Sequence, residues 1–361
     1  MFAVFSAVLF AGNEKSTGAI VRLLNSRSAG SLRAYEEAAK VVREDADKGG
    51  LLQKFIIAVI SKDEDPPGAA RLSERERERF FEDSRDKIRK LAEENNNALA
   101  WYILSLENND MSMLETAASY GNVQALNAFG TIRLTAAFKD ATLSTNALER
   151  ILKRVYKSFK WASDQGDANG LYNLGMCHVN GYGCQRDEKL AFECFRAAAE
   201  KGHPEAINNI GGFFRDGIVV RRNPEISAVW FKKSSELGNE FGMLNYALAL
   251  LSGEGVERNR EGAVKLLRYL AEKRANAEGM NVYGVCLMRG LGVEKDDKAA
   301  FSWFEKSAAK GFATAMDNLS GCYEQGVGVE RDAEKSLLWK MRARASSGDR
   351  AAAEWLESNG R

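Results

Sequence analysis

Tyr283-Gly-Val-Cys-Leu-Met-Arg-Gly290-Leu-Gly-Val-Glu-Lys-Asp296-Asp-Lys-Ala-Ala-Phe-Ser-Trp303-Phe-Glu-Lys-Ser-Ala-Ala-Lys-Gly311 carries a helical pattern on each side of a Gly-x-Gly turn. The turn recurs along the chain as Gly181-Tyr-Gly183, Gly217, Gly253-Glu-Gly255 and Gly326-Val-Gly328, with successive first glycines 36, 36, 37 and 36 residues apart. A period of this size marks stacked copies of one supersecondary unit, each too small to bury its own apolar face and stable only against its neighbours.

Aligned on that period, the units begin at Gly170, Ala206, Gly242, Gly279 and Ala315. Leu174, Ile210, Tyr246, Tyr283 and Leu319 follow at the fifth position. A small residue (Gly175, Gly211, Ala247, Gly284, Ser320) stands at the sixth, which predicts close packing of two helices. After each turn, Asp187, Asn223, Asn259, Asp296 and Asp332 stand where a side-chain acceptor can cap a second helix. That helix carries Cys194-Phe195, Trp230-Phe231, Leu266-Leu267, Trp303-Phe304 or Trp339, and it ends at Gly202, Gly238, Gly311 and Gly348. Glycine just past the last turn is a common helix terminator, and Arg274 is the exception to it here.

These columns resemble the Sel1-like repeat, a relative of the tetratricopeptide repeat. The resemblance implies an all-α, right-handed superhelical α-solenoid of stacked helix-turn-helix units whose first helices line a concave face. The pattern weakens upstream but keeps its phase, through Leu114–Gly121, Ala125–Gly130 and Phe159–Gly166, with about nine extra residues within 131–158. The expected organisation is a degenerate helical region over 1–97, two degenerate repeats over 98–169, five repeats over 170–350 and a cap over 351–361. Within the first region, 34–47 and 51–60 are predicted to form a helical hairpin, 66–72 a hinge, and Ser73–Arg79 a solvated helix of alternating charge.

The totals exclude some classes. Lys and Arg number 51 against 50 Asp and Glu, so the net charge of +1 gives no global field to recruit nucleic acid. No segment approaches the roughly 18 apolar residues of a spanning helix, so no integral membrane segment is expected. Residues 1–12 resemble the apolar core of a signal peptide without its basic lead, and otherwise read as a first capping helix. The five cysteines are an odd number, and three of them (Cys177, Cys286, Cys322) share one column. Reduced, buried thiols and a cytoplasmic location are the simpler reading; an exported or periplasmic location is the alternative.

Signals for catalysis are thin. Ser307-Ala-Ala-Lys310 and Ser84-Arg-Asp-Lys87 match the S-x-x-K of penicillin-recognising enzymes, a group to which the resemblance also points because β-lactam binding has been suggested for some Sel1-like proteins. The companion S-D-N and K-T-G motifs do not occur in the sequence. The glycine pairs lack a third spaced glycine and a flanking strand, and there is no Walker A motif. With two histidines, His178 in a core column and His203 before Pro204, and no H-E-x-x-H or C-x-x-C, neither a metal site nor a cofactor is expected.

Advancing 100° per residue puts the far side of each first helix near positions three, seven and ten. Leu248, Leu251, Val285 and Met288 are apolar there, where a lone amphipathic helix would face water. They predict either a groove or helix–helix core. The candidate binding set is Asn173, Met176, Asn209, Arg215, Leu244, Asn245, Leu248, Leu251, Asn281, Val285, Met288 and Asn318, its asparagines offering hydrogen bonds to a peptide backbone. The functional reading is a non-catalytic protein-interaction scaffold or adaptor. A hydrolase or cell-wall-related protein, or a structural subunit, is the alternative. The sequence leaves the partner and the oligomeric state open.

Overall fold

The computed structural model describes residues 88–359, apart from 91, 95, 97 and 109. The expectations for 1–87, the apolar leader, the hairpin, the hinge and the Ser84 motif among them, lie outside the described residues. Fifteen helices, labelled here α1 to α15, are described, and no strand occurs among the described residues. The chain divides within α7 into two compact units, 1–210 and 211–361.

The first unit holds α1 (Ala98–Asn108), α2 (Met111–Ser119), α3 (Val123–Lys139), α4 (Thr145–Asp164), α5 (Ala168–Asn180), α6 (Glu188–Glu200) and the start of α7 (Pro204–Asp216). The second holds the rest of α7, α8 (Pro224–Glu236), α9 (Glu240–Ser252), α10 (Arg260–Glu272), α11 (Ala277–Arg289), α12 (Asp297–Ala309), α13 (Ala313–Gln325), α14 (Ala333–Ser346) and α15 (Arg350–Ser358). Within each unit, successive helices pack on one another as hairpins. The extra residues of 131–158 lengthen both helices of one hairpin: α3 has 17 residues and α4 has 20, where α5 and α6 have 13 each.

Three of the hairpins close on the same contact. A Cβ built on Gly175 would lie 2.6 Å from the Phe195 ring, one on Gly211 2.7 Å from Phe231, and one on Gly284 2.7 Å from Phe304. The sixth-position glycine is therefore a seat for an aromatic ring of the second helix. Where the seat is Ala247, its counterpart is the smaller Leu267, and both are fully buried. The residue before that ring stays nearer the surface, and a cation three residues on covers it: Lys233 over Trp230, Lys306 over Trp303 and Arg342 over Trp339.

Second helices begin as predicted, with Asp187, Asn223, Asn259, Asp296 and Asp332 each accepting from a backbone N–H of the first turn. At the Arg274 exception, the left-handed bend falls on Ala275 at φ 50°. Arg274 instead reaches back to the start of α9, with its Nε 3.1 Å from Glu240 Oε1 and its guanidinium donating to the Gly238 carbonyl.

The second glycine of each turn has a separate reason. Cβ atoms on Gly255, Gly292 and Gly328 would lie 2.0 to 2.4 Å from the backbone of Pro224, Arg260 and Asp297, and all three glycines have positive φ. In the Gly217 turn that place is taken by Val219, at φ 65° and 47% exposed. A β-branched residue there stores of order 1–2 kcal/mol of strain.

Two predictions follow from this packing. Val219→Gly should raise the chemical-denaturation stability by about 1 kcal/mol, the strain relieved exceeding the added chain entropy. Gly284→Ala should lower it by about 1–3 kcal/mol, because Phe304 must move. Gly212→Ala, whose Cβ meets nothing within 4 Å, serves as the control and should be neutral or mildly stabilising.

Candidate interaction site

The second unit contains a cleft of about 480 Å³. Pro224, Ser227, Ala228 and Phe231 form one wall, and Asn245, Leu248, Ala249 and Ser252 the other, with Leu251 beside them. Both sets follow i, i+3, i+4, i+7 spacing, so each wall is a single stripe of α8 or α9. Arg215 and Glu254 complete the lining.

The polar groups of this lining are paired. Arg215 donates from Nε to Asp216 Oδ1 at 2.7 Å and from Nη2 to Oδ2 at 3.0 Å, and its Nη1 reaches Asn245 Oδ1 at 3.3 Å. The guanidinium also lies over the Phe231 ring. Arg222 donates to the Arg215 carbonyl and pairs with Glu254. These bonds hold the Asp216 carboxyl below its ordinary range and the Arg215 guanidinium above its own, so both stay charged. The cleft thus offers an apolar floor and charge-balanced sides, a chemistry suited to an apolar side chain.

Four predicted residues, Arg215, Asn245, Leu248 and Leu251, line this cleft. Leu248 is 39% exposed. Leu251, Val285 and Met288 are partly buried against the core of the second unit. Leu244 and Asn281 are 4% and 5% exposed, so they lie behind the surface. The asparagines also have intramolecular work. Asn318 donates to Asn281 Oδ1 at 2.7 Å, Asn173 to Asn127 Oδ1 at 3.4 Å, and Asn209 to Met176 Sδ at 3.9 Å. They form bonds between neighbouring hairpins, where the sequence suggested ligands for a peptide backbone. Ser307 of the S-x-x-K match is fully buried and its hydroxyl donates to the Ala277 carbonyl at 2.6 Å, a structural bond.

Sequence reasoning missed the caps of the first helices. Asp167, Asn239 and Asn276 accept from the third backbone N–H beyond each, and in α7 that acceptor is His203 Nδ1, 3.3 Å from Ala206 N. An Asp or Asn just after the terminal glycine was the available signal. Burial keeps Asp167 above the ordinary carboxylate range. It also pushes the Cys177 thiol up to about 12 and those of Cys194, Cys286 and Cys322 to about 11. All five cysteines are free thiols. Among the described residues, no cluster of three metal-ligating side chains and no helix long and apolar enough to cross a membrane occurs.

These observations define an all-α repeat protein built from helix-turn-helix hairpins. The Sel1 repeat family model matches residues 168–203, 204–239, 241–274, 277–312 and 313–339, five Sel1 repeats in succession. The chain is similar to a Sel1 repeat protein from Oxalobacter formigenes, at 26% identity and a TM-score of 0.59, over 68% of this chain and 96% of that one. It is also similar to c5321, a protective antigen of uropathogenic Escherichia coli displaying an SLR fold. That match has 24% identity and a TM-score of 0.58, over 87% of this chain and 65% of that one. No curated protein matches the sequence.

The two histidines make a pH prediction. His178 is buried and the His203 side chain is only 9% exposed, and desolvation holds both imidazoles below their ordinary pKa, with Asp187 and Glu205 respectively opposing the shift in part. The unfolded chain therefore binds protons near pH 6.5 that the folded chain does not. Their contribution is complete above that pH and falls as the solution becomes more acidic, down to the folded values. The melting midpoint should drop between pH 7.5 and 5.5. In a His178→Leu/His203→Asn variant that drop should shrink, Leu and Asn being the residues found in those columns at Leu250 and Asn239.

Proposed function

We propose that this chain is a non-catalytic protein-interaction scaffold or adaptor, and that the α8–α9 cleft takes an apolar side chain of a peptide or protein partner. The five Sel1 repeats, of a family whose members generally act as protein-interaction scaffolds, support the broader reading. The observation that carries the narrower one is the cleft itself. Phe231, Leu248 and Leu251 present an apolar floor, and its neighbouring charges are already satisfied within the fold. Burying one large apolar side chain there would contribute about 1.5–3 kcal/mol, an anchor and not a whole interface. Leu251 in turn packs on the core of the second unit.

Leu248→Glu is the discriminating variant, because this side chain is exposed enough for the charge to remain solvated in the folded protein. Affinity capture with the full chain, compared by quantitative mass spectrometry, should show a partner retained by the wild type and depleted at least about tenfold by Leu248→Glu. Unchanged thermal melting and circular dichroism would show that folding is retained. Equal retention by both proteins would remove the cleft from the binding surface.

A further inference from the structure

Outside that cleft, the first unit gathers three of the five cysteines and one of the two histidines around the turn between α5 and α6. Cys184 and Cys194 are partly exposed and pack, with Tyr182 and Tyr156, against the cluster that contains Cys177. Cys184 Sγ lies 3.7 Å from His178 Nδ1 and 3.5 Å from the Cys177 carbonyl oxygen. His178 is fixed on its other sides: Tyr156 meets it edge-on at 5.7 Å, and the ring is hydrogen-bonded to the Gln185 backbone. The Cys184 S–H is placed to donate to the Cys177 carbonyl, and turning it about the Cβ–Sγ bond points it at Nδ1, which accepts it in the tautomer protonated on Nε2. A thiol, an imidazole facing it and a group orienting the imidazole are the parts of an activated nucleophile. The other repeats carry Val256, Val293 and Val329 in the Cys184 column, and Leu250 and Leu287 in the His178 column. The pair is particular to this repeat.

We propose that Cys184 is a peroxide-reactive thiol, activated by His178 and resolved by Cys177 as an intramolecular disulfide. In the first step the Cys184 proton passes to His178 Nδ1, and the sulfur attacks one oxygen of a hydroperoxide. The O–O bond breaks and the leaving oxygen takes the proton back from the imidazolium, giving a sulfenic acid and one water or alcohol. The Cys177 thiol then attacks the sulfenic sulfur, its proton leaves with the displaced hydroxyl as water, and the S–S bond forms. Two thiols lose two electrons in all, and one peroxide is reduced. Burial holds the Cys184 thiol above its ordinary range, so the reaction depends on the imidazole to take the proton. The bridge would tie the end of α5 to the turn at Gly183, whose backbone lies against that of Leu152 in α4. It would therefore set the joint between two adjacent hairpins.

The test treats the folded full-length chain with hydrogen peroxide, blocks remaining thiols by alkylation and maps cysteines by mass spectrometry of a non-reduced digest. A Cys177–Cys184 linked peptide should form before Cys286 or Cys322 changes, and be absent from Cys184→Val. His178→Leu should slow its formation by about tenfold or more. Melting curves confirm that each variant is folded, and His178→Phe, after Phe214 in that column, replaces the leucine variant should it fail this control. The proposal is overturned if Cys184 oxidises no faster than Cys286 and Cys322. A bridge to Cys194, or a rate indifferent to His178, overturns it equally.

Discussion

The contact on which the repeats depend is the seating of a second-helix side chain on a first-helix residue that has almost no side chain. Phe195 on Gly175, Phe231 on Gly211 and Phe304 on Gly284 place a ring edge where a Cβ would stand. Glycine inside a helix costs about 1 kcal/mol relative to alanine. Burial of a phenylalanine contributes more, about 1.5–3 kcal/mol, so the exchange favours the hairpin. The Ala247 and Leu267 pair follows the same rule with both volumes adjusted. With that distance fixed, the turn has little freedom. Its second glycine must pass the backbone at the start of the preceding second helix, which is why Gly255, Gly292 and Gly328 leave no room for a methyl group.

Much of this was legible in the sequence because each element of the unit states its own local chemistry. The capping residue at Asp187, Asn223, Asn259, Asp296 and Asp332 acts within one turn of its own helix, so spacing alone revealed it. The first-helix caps at Asp167, Asn239 and Asn276 act just as locally but are masked by variation, His203 and Phe312 holding the same column in other repeats. Arg274 was visible only as a missing glycine. Its compensation is a contact to Glu240, more than thirty residues away, which no local pattern encodes.

The candidate site was legible to a lesser degree for the same reason. A 100° advance identifies which side of a first helix lies away from its own core stripe, and it marked out Leu248 and Arg215. It does not say how much of that side the next hairpin covers. Leu244 and Asn281 are covered, and Asn318 and Asn173 spend amide groups on asparagines of the neighbouring hairpin. Polar residues on a repeat surface thus serve two roles that sequence spacing cannot separate, because the partner in one of them is another copy of the same column.

What distinguishes one repeat from another is therefore the informative residue class. The seat, the cap and the turn recur from unit to unit, and residues that only satisfy these carry no message about function. Departures without a packing reason of that kind are few. Leu248 keeps an apolar surface in water beside a cleft whose charges are already paired, and Cys184 with His178 replaces a valine and a leucine by a thiol facing an imidazole. The first departure lowers the cost of covering the surface with another chain, since no ion must be stripped of its partner to do so. The second puts a proton acceptor within reach of a thiol whose burial otherwise disfavours its anion. Neither improves the stack, and each changes what the stack can meet.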